Sequence, residues 1–457
     1  MTRDEHPRSQ DDSEQSGQRV RSDRRAFLAA AGAIGTTALA GCAAVPPGTP
    51  TYDKTQNEFS PEIPPYDRTY PDDPEITMFR RGLRRLGYYP DTTVPDAVEV
   101  NWQLPVNYIG HTAAKSSPIV TPDGENVIIA ADTGRVHAVS TTGEHRWVAE
   151  TGATNLGIHG TPTIVDGVAY IGGYDGHLYA INVHTGEYVW HTHRRELDWA
   201  IAIGSSPAYL DGVLYLMAEY NHPPSGAMWA IDAETGTPLE SDHRPVGMPH
   251  PSMAIDPETE RMVSGSNDGV CYCWEFPSLE PVWEFQTDGE IKGTPPVYEG
   301  KTFVGSWDGT FYCLALEDGE ELWTFDTGQV VMSNPGVDPE AGVVYVGSDD
   351  RQIHALDTET GEQLWSQNVG GSVIGSLTVT PDAVLVGSYD THMYALEADT
   401  GDVRWRVGGN GHATSEVAIH DGRLYYAERG DISGYWDDDD EETVNAPGHA
   451  YCLVSDE

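Results

Sequence analysis

Residues 160–190 read GTPTIVDGVAYIGGYDGHLYAINVHTGEYVW. Three turn signals divide this stretch: Asp166-Gly167, Asp175-Gly176 and Thr185-Gly186. Between them stand short runs of Val, Ile, Tyr and Trp, the composition of strands. Asp-Gly pairs suit tight hairpins, because they accept the positive φ that such turns need. The spacing predicts four short antiparallel strands, with Trp190 on the outermost. A strand Trp recurs along the chain at Trp102, Trp147, Trp190, Trp283, Trp323, Trp365 and Trp405. The gaps are 45, 43, 93, 40, 42 and 40 residues, and the long gap holds one unit in which Thr237-Pro238-Leu239 replaces the Trp motif. A period of about 43 residues, with four strands per unit, is that of propeller blades.

Eight units can be counted, with innermost strands expected to begin near Ser117, Thr161, Ser206, His250, Thr294, Asn334, Ser376 and Ser415. The eighth has three strands before Glu457, and Asn101-Trp102-Gln103-Leu104 is expected to supply its fourth. Closing the ring this way leaves no sheet edge open between the first and last units. The expected fold class is all-β: an eight-bladed β-propeller of four-stranded antiparallel blades over residues 76–457, closed by an N-terminal strand.

Composition narrows the partners. The 457 residues carry 26 bases against 72 acids, a formal charge of −46. Such a chain repels phosphates, so nucleic acid is excluded as a partner. Disorder is excluded by 12 Trp, 23 Tyr and 39% hydrophobic residues. Only four bases are Lys (Lys54, Lys115, Lys292 and Lys301), and strong acidity with little Lys suits a halophile-type surface in concentrated salt. Five Cys are too few for a disulfide scaffold, and they form no Cys-x-x-Cys pair. Cys273, Cys313 and Cys452 each follow a Tyr where other units have Ala, as in Tyr179-Ala180, which marks small buried strand positions.

The N-terminus reads as an address and an anchor. Arg24-Arg25-Ala26-Phe27-Leu28 opens a small-residue apolar run to Ala40, too short to span a bilayer and of signal-peptide size. The paired Arg24 and Arg25 resemble a twin-arginine export signal, a route that carries folded proteins. Leu39-Ala40-Gly41-Cys42 resembles a lipobox, with Cys42 as the lipidated residue. Residues 1–42 are therefore expected to be signal and lipobox, and residues 43–75, rich in Pro, an extended tether. The expected location is the exported, membrane-anchored cell surface. Arg80, Arg81, Arg84 and Arg85 lie on a short helical stretch before the ring, placed to touch anionic lipid or to pack on the acidic propeller.

The repeats resemble a known family. AIDAETG (230–236), ALDTETGEQLW (355–365) and ALEADTGDVRW (395–405) look like the pyrroloquinoline quinone (PQQ) repeat. The resemblance covers residues 76–457. It implies one of two classes: quinoprotein dehydrogenases, or the lipoprotein propellers that assist outer-membrane barrel assembly without catalysis. The second is closer in kind. Alcohol-oxidising quinoproteins of the family cover the quinone with a disulfide between adjacent Cys, and no Cys-Cys dipeptide stands here. No motif matches the family's general base or Ca²⁺ ligands.

The mouth of the central channel is the place for a ligand. Lys115, His159 and Lys292 stand two positions before the first, second and fifth innermost strands, and blades one and five oppose each other in an eight-fold ring. Lys115, His159, Lys292, His250, Trp199 and His412 are the candidate ligand-binding residues, with His111 in a neighbouring loop. Basic groups in an acidic protein would make a local anion site. The run Asp437–Glu442 suits a solvated loop, and its metal binding is left open. The expected function is a non-catalytic binding or scaffold module, monomeric, held to the membrane at Cys42 and partnered by envelope proteins, with no cofactor. The alternatives are a PQQ-dependent dehydrogenase or electron-transfer quinoprotein with Ca²⁺, and a binder of a small anionic ligand at the mouth.

Overall fold

The computed structural model describes residues 59–64, 74–109, 116–221, 223–433 and 443–456. The fifth blade shows the pattern, with strands Val297–Tyr298, Lys301–Gly305, Thr310–Ala315 and Glu321–Asp326 running antiparallel from channel to rim. Seven such sheets follow in sequence. The eighth combines Ala418–His420, Arg423–Arg429 and Gly448–Ser455 with Val98–Asn107 from the other end of the ring. There Leu104 lies opposite Ala450 and Trp102 opposite Cys452, so the ring closes as the sequence predicts.

Each strand Trp spans the seam to the following blade. Its indole N–H donates to a carbonyl there: Trp147 to Val183, Trp190 to Ala233, Trp283 to Leu316 and Trp365 to Ala398, at 2.8–3.0 Å. The glycine of the next blade's third turn lies flat against the ring. A Cβ on Gly319, whose φ is +77°, would come within 2.8 Å of Trp283. The residue directly across the sheet from the Trp is Ala or Cys, as in Trp190–Ala180, Trp283–Cys273 and Trp323–Cys313. A small side chain there leaves room for the indole. Cys271, Cys273, Cys313 and Cys452 are buried, and burial pushes the Cys273 and Cys313 thiols up to about 12, so they are packing residues.

One seam is built differently. The third blade lacks the Trp, and the fourth carries Pro277-Ser278-Leu279 where the glycine would be. Here Trp274, fully buried, donates to Asp242 at 2.6 Å. Arg244 bonds the same carboxylate and lies 5.6 Å over the Trp274 ring.

Residues 75–89 form a strap across one end of the channel. Strand Ile76–Thr77 pairs with the second blade. Strap carbonyls of Leu83, Arg84, Leu86 and Gly87 then accept from Ile255, Val297, Val337 and Val379, on blades four to seven. Arg80 and Arg85 are both 0% exposed. Arg85 donates to the carbonyls of Met253, Phe79 and Pro207 at 2.7, 2.7 and 3.2 Å. Arg80 donates to those of Arg85 and Leu377 at 3.0 and 2.9 Å, and to that of Pro335. Gly87, with φ +68°, passes so close to the Arg80 guanidinium that a Cβ would meet it at 2.6 Å. Arg84 pairs with Asp256 and Glu258. Of the two placements expected for these arginines, packing on the propeller is the one found for Arg80, Arg84 and Arg85. Within the Pro-rich stretch, Phe59 lies edge-on to Tyr179, Tyr188 and His191 of the second blade.

Candidate functional site at the channel mouth

Next to the strap, a ring of side chains fastens the innermost strands, and the loops ahead of those strands lead away from it to the mouth. The backbone N–H of each donates to the side chain of the next: Ser117 to Thr161, Thr161 to Ser206, Ser206 to Ser252, Ser252 to Thr294 and Thr294 to Asn334, at 2.6–3.0 Å. Asn334 continues to Ser376 through its amide, and Glu416 N–H returns to the Ser117 hydroxyl. The ring corrects one expectation. Ser252, not His250, starts the fourth innermost strand, because its hydroxyl is the one in register with its neighbours. His250 stands two positions earlier, level with His159 and Lys292.

A second ring comes from the ends of the second strands and the turns that follow them. It consists of Asp132, Tyr174, Glu219, Asn267, Trp307, Asp349, Tyr389 and Arg429, one per blade. Several are held by their own N–H on the loop before the blade: Tyr174 on Gly157, Trp307 on Glu290, Asp349 on Val330 and Tyr389 on Ser372, at 2.9–3.1 Å. None of these was singled out in the sequence. The signal was there, in a motif that keeps an Asp and varies the residue before it: Tyr174-Asp175, Asn267-Asp268, Trp307-Asp308, Asp349-Asp350 and Tyr389-Asp390. The constant Asp is structural, since it accepts from the hydroxyl of Tyr272, Tyr312 or Tyr394, four residues on. The variable residue lines the mouth.

The structure brings two predicted residues together. Tyr174 bonds His250 Nδ1 at 3.0 Å, and its ring centroid lies 3.6 Å from that of His159. Glu219, buried, completes the group, with Oε1 3.3 Å from the Tyr174 hydroxyl and 3.2 Å from His250. Burial and the Glu219 charge push the Tyr174 hydroxyl well above its ordinary range. Lys292 lies on the next blade, 2.8 Å from Glu290 and 4.1 Å over Trp307. Burial lowers its ammonium pKa, and Glu290 and Glu219 oppose that. His412 lies on the other side, stacked on Tyr389 at 4.4 Å, with Arg429 also 4.4 Å from the Tyr389 ring. Trp199 is 63% exposed, and Arg194 is 6.0 Å from its ring. Lys115, His111, Cys42, Arg24, Arg25 and the run 437–442 lie outside the described residues. Asp349 Oδ1 and Asn267 Oδ1 are buried without a partner, and burial raises the Asp349 carboxyl to about 6.

A family model described as outer membrane protein assembly factor BamB matches residues 99–263, 257–339 and 314–438. The chain belongs to that family. A BamB of Yersinia pestis is 29% identical over 147 residues, 30% of this chain and 35% of that one. A quinohemoprotein alcohol dehydrogenase of Comamonas testosteroni is 29% identical over 192 residues, 39% of this chain and 26% of that one. The matched segments thus span about a third or less of these relatives. The crystal structure of BamB from Moraxella catarrhalis superposes with a TM-score of 0.57 at 16% identity, covering 79% of this chain and 98% of that one. It shares the fold.

The BamB-family mouth can be tested against a quinone. PQQ bears carboxylates, which call for unpaired cations. Among the described residues the mouth offers Lys292, already paired with Glu290, His250, already against the buried Glu219, and Arg429, over the Tyr389 ring. Arg80 and Arg85 are spent on carbonyls at the other end. Among the described residues, three groups of metal-ligand type come within 4.8 Å only at Asp123, Glu125 and His184, all exposed. Lys292 and His250 are already engaged by carboxylates where a quinone carboxylate would need them.

A second cluster lies on the second blade. His177 Nδ1 is 2.7 Å from His191 Nε2, and the His177 and His193 ring centroids are 4.5 Å apart. His177 is 0% exposed and its Nε2 has no partner. Burial, with the neighbouring imidazoles, lowers His177 to about 2 and His191 to about 4. Unfolded, both titrate near about 6.5. The unfolded chain therefore takes up protons first, and stability is lost as pH falls from about 6.5 toward 4. Asp175 acts in the opposite sense, because burial raises it to about 6 and acid relieves it. Two imidazoles outweigh one carboxyl. The expected result is that His177→Phe flattens the fall of the denaturant midpoint between about pH 6.5 and 4. Equal slopes for both proteins would refute the desolvated cluster.

Proposed function

We propose that the protein is a lipid-anchored propeller on the cell surface that holds envelope proteins and catalyses no reaction. One observation carries this reading beyond the family match. The outermost strands bear exposed apolar residues on six blades: Val100, Val148, Leu239, Leu322, Leu364 and Val403, each 42–54% exposed. Each lies on a strand whose outer edge pairs with no other strand among the described residues. Such an edge, with an apolar side chain beside it, suits addition of an extended segment from a partner. The relative named an assembly factor points the same way. The pairing of Lys292 with Glu290 and of His250 with Glu219 disfavours the quinone alternative and a strongly anionic ligand at those two residues. The monomer presents its whole rim.

Leu322→Lys combined with Leu364→Lys is expected to cut co-purification of envelope proteins at least several-fold, with the melting temperature unchanged because both side chains already face solvent. Undiminished co-purification would remove the rim from the proposal. The anchor is tested apart from it. Cys42→Ser is expected to move the protein from the membrane to the soluble exported fraction. Retention at the membrane would rule out Cys42 as the attachment point.

A further inference from the structure

The strap reaches blades two to seven, and a cavity of about 410 Å³ opens beside it against blades eight, one and two. Its walls are apolar where Met78, Phe79, Ile119 and Ile419 face it, and polar at Arg81 and Glu416. Two features of those polar residues call for a ligand. Glu416 is 4% exposed. Its Oε2 accepts from the Arg80 N–H at 2.9 Å, and its Oε1 is buried with no partner. A buried carboxylate oxygen left unpaired is costly. Arg81, by contrast, is exposed, and its guanidinium makes no hydrogen bond or ion pair among the described residues, in a chain with 72 acids. It is held 4.4 Å over the Tyr89 ring, which fixes its plane.

We propose that this cavity binds a free apolar α-amino acid, with its carboxylate on the Arg81 guanidinium, its ammonium on Glu416 and its side chain against Met78, Phe79 and Ile419. A planar guanidinium is matched to a carboxylate, which it can grip with two parallel hydrogen bonds. The ammonium supplies the donor that Glu416 Oε1 lacks. A simple carboxylate would leave Glu416 unpaired, and a simple amine would leave Arg81 unpaired. The volume lies within the range of roughly 300–1,000 Å³ typical of small-molecule sites. The site is separate from both the rim and the channel mouth, so it stands or falls independently of the scaffold reading.

The test is equilibrium dialysis of the full chain against labelled L-leucine, with leucinamide and N-acetyl-leucine as competitors. Saturable uptake of one leucine per chain is expected. Neither competitor is expected to displace it at tenfold excess, since each lacks one of the two charges. Arg81→Gln, on an exposed side chain, is expected to weaken uptake at least tenfold with the circular dichroism unchanged. Absence of saturable uptake would overturn the proposal. So would displacement by either blocked compound, or full affinity in Arg81→Gln. The competitors need no variant, so the outcome does not hang on a substitution being tolerated.

Discussion

Arg85→Met is expected to cost several kcal/mol of stability, since each buried carbonyl left without its donor costs about 1–3 kcal/mol. The side chain is 0% exposed and donates to carbonyls of the strap itself, of blade three and of blade four. Methionine fills much of the volume and supplies none of the donors. The carbonyls of Met253 and Phe79, at 2.7 Å in the native protein, then lose that donor in a place water does not easily reach. Arg84→Met is the control on the same strap. That guanidinium is 39% exposed and pairs with Asp256 and Glu258, so its loss should cost no more than about 1 kcal/mol. Denaturant midpoints at one salt concentration compare the two. If Arg85→Met unfolds where the parent does, the strap is not holding the ring.

The second large effect concerns the seams. Trp283→Ala is expected to cost about 3–5 kcal/mol, as large-to-small core changes of aromatic residues do. Trp283 is 8% exposed and loses both its packing and its bond to the Leu316 carbonyl at 2.9 Å. Gly319→Ala attacks the same contact from the other blade. Its Cβ would meet the indole at 2.8 Å, on a backbone whose φ is +77°. Made in the Trp283→Ala background, it meets no ring and retains only the conformational penalty of about 1–2 kcal/mol. The two losses should therefore sum to more than the double variant shows, by about 1 kcal/mol or more. Strict additivity would mean that Gly319 and Trp283 do not share one contact.

These two effects also mark how far the fold could be read from the chain. The Trp–Gly spacing was legible because it repeats, and one seam contact is copied around the ring. Closure by Asn101–Leu104 was legible because the last unit was one strand short. The strap was only half legible. Four arginines in six residues look like a surface, and nothing local says that Arg80 and Arg85 turn inward onto carbonyls of residues more than a hundred positions away. At the mouth, His159 and His250 come together around Tyr174, while the register expected at His250 was two positions off. Prolines at 249 and 251 disguise the loop, and only the hydroxyl of Ser252 fits the ring. Glu219, the acid that joins Tyr174 to His250, had no motif at all. It comes from a blade whose hairpin lacks the usual Asp, as blades one and eight also do, so neither repeat nor spacing pointed to it.

The strap has a mechanical meaning as well. A pull on the chain ahead of residue 75 does not arrive at the closing strand of the eighth blade. Once past the Phe59 contacts it arrives at Glu75, whose carbonyl is bonded to Asp166, and at the short pair Ile76–Thr77 on Val165 and Ile164. Behind these stand the strap's bonds to blades four to seven and the two arginines, loaded one after another. Only when all have yielded would tension reach Val98–Asn107, where the circle is fastened. A molecule leashed at its N-terminus in a moving envelope would thus dissipate small tugs at the axle and spare the clasp.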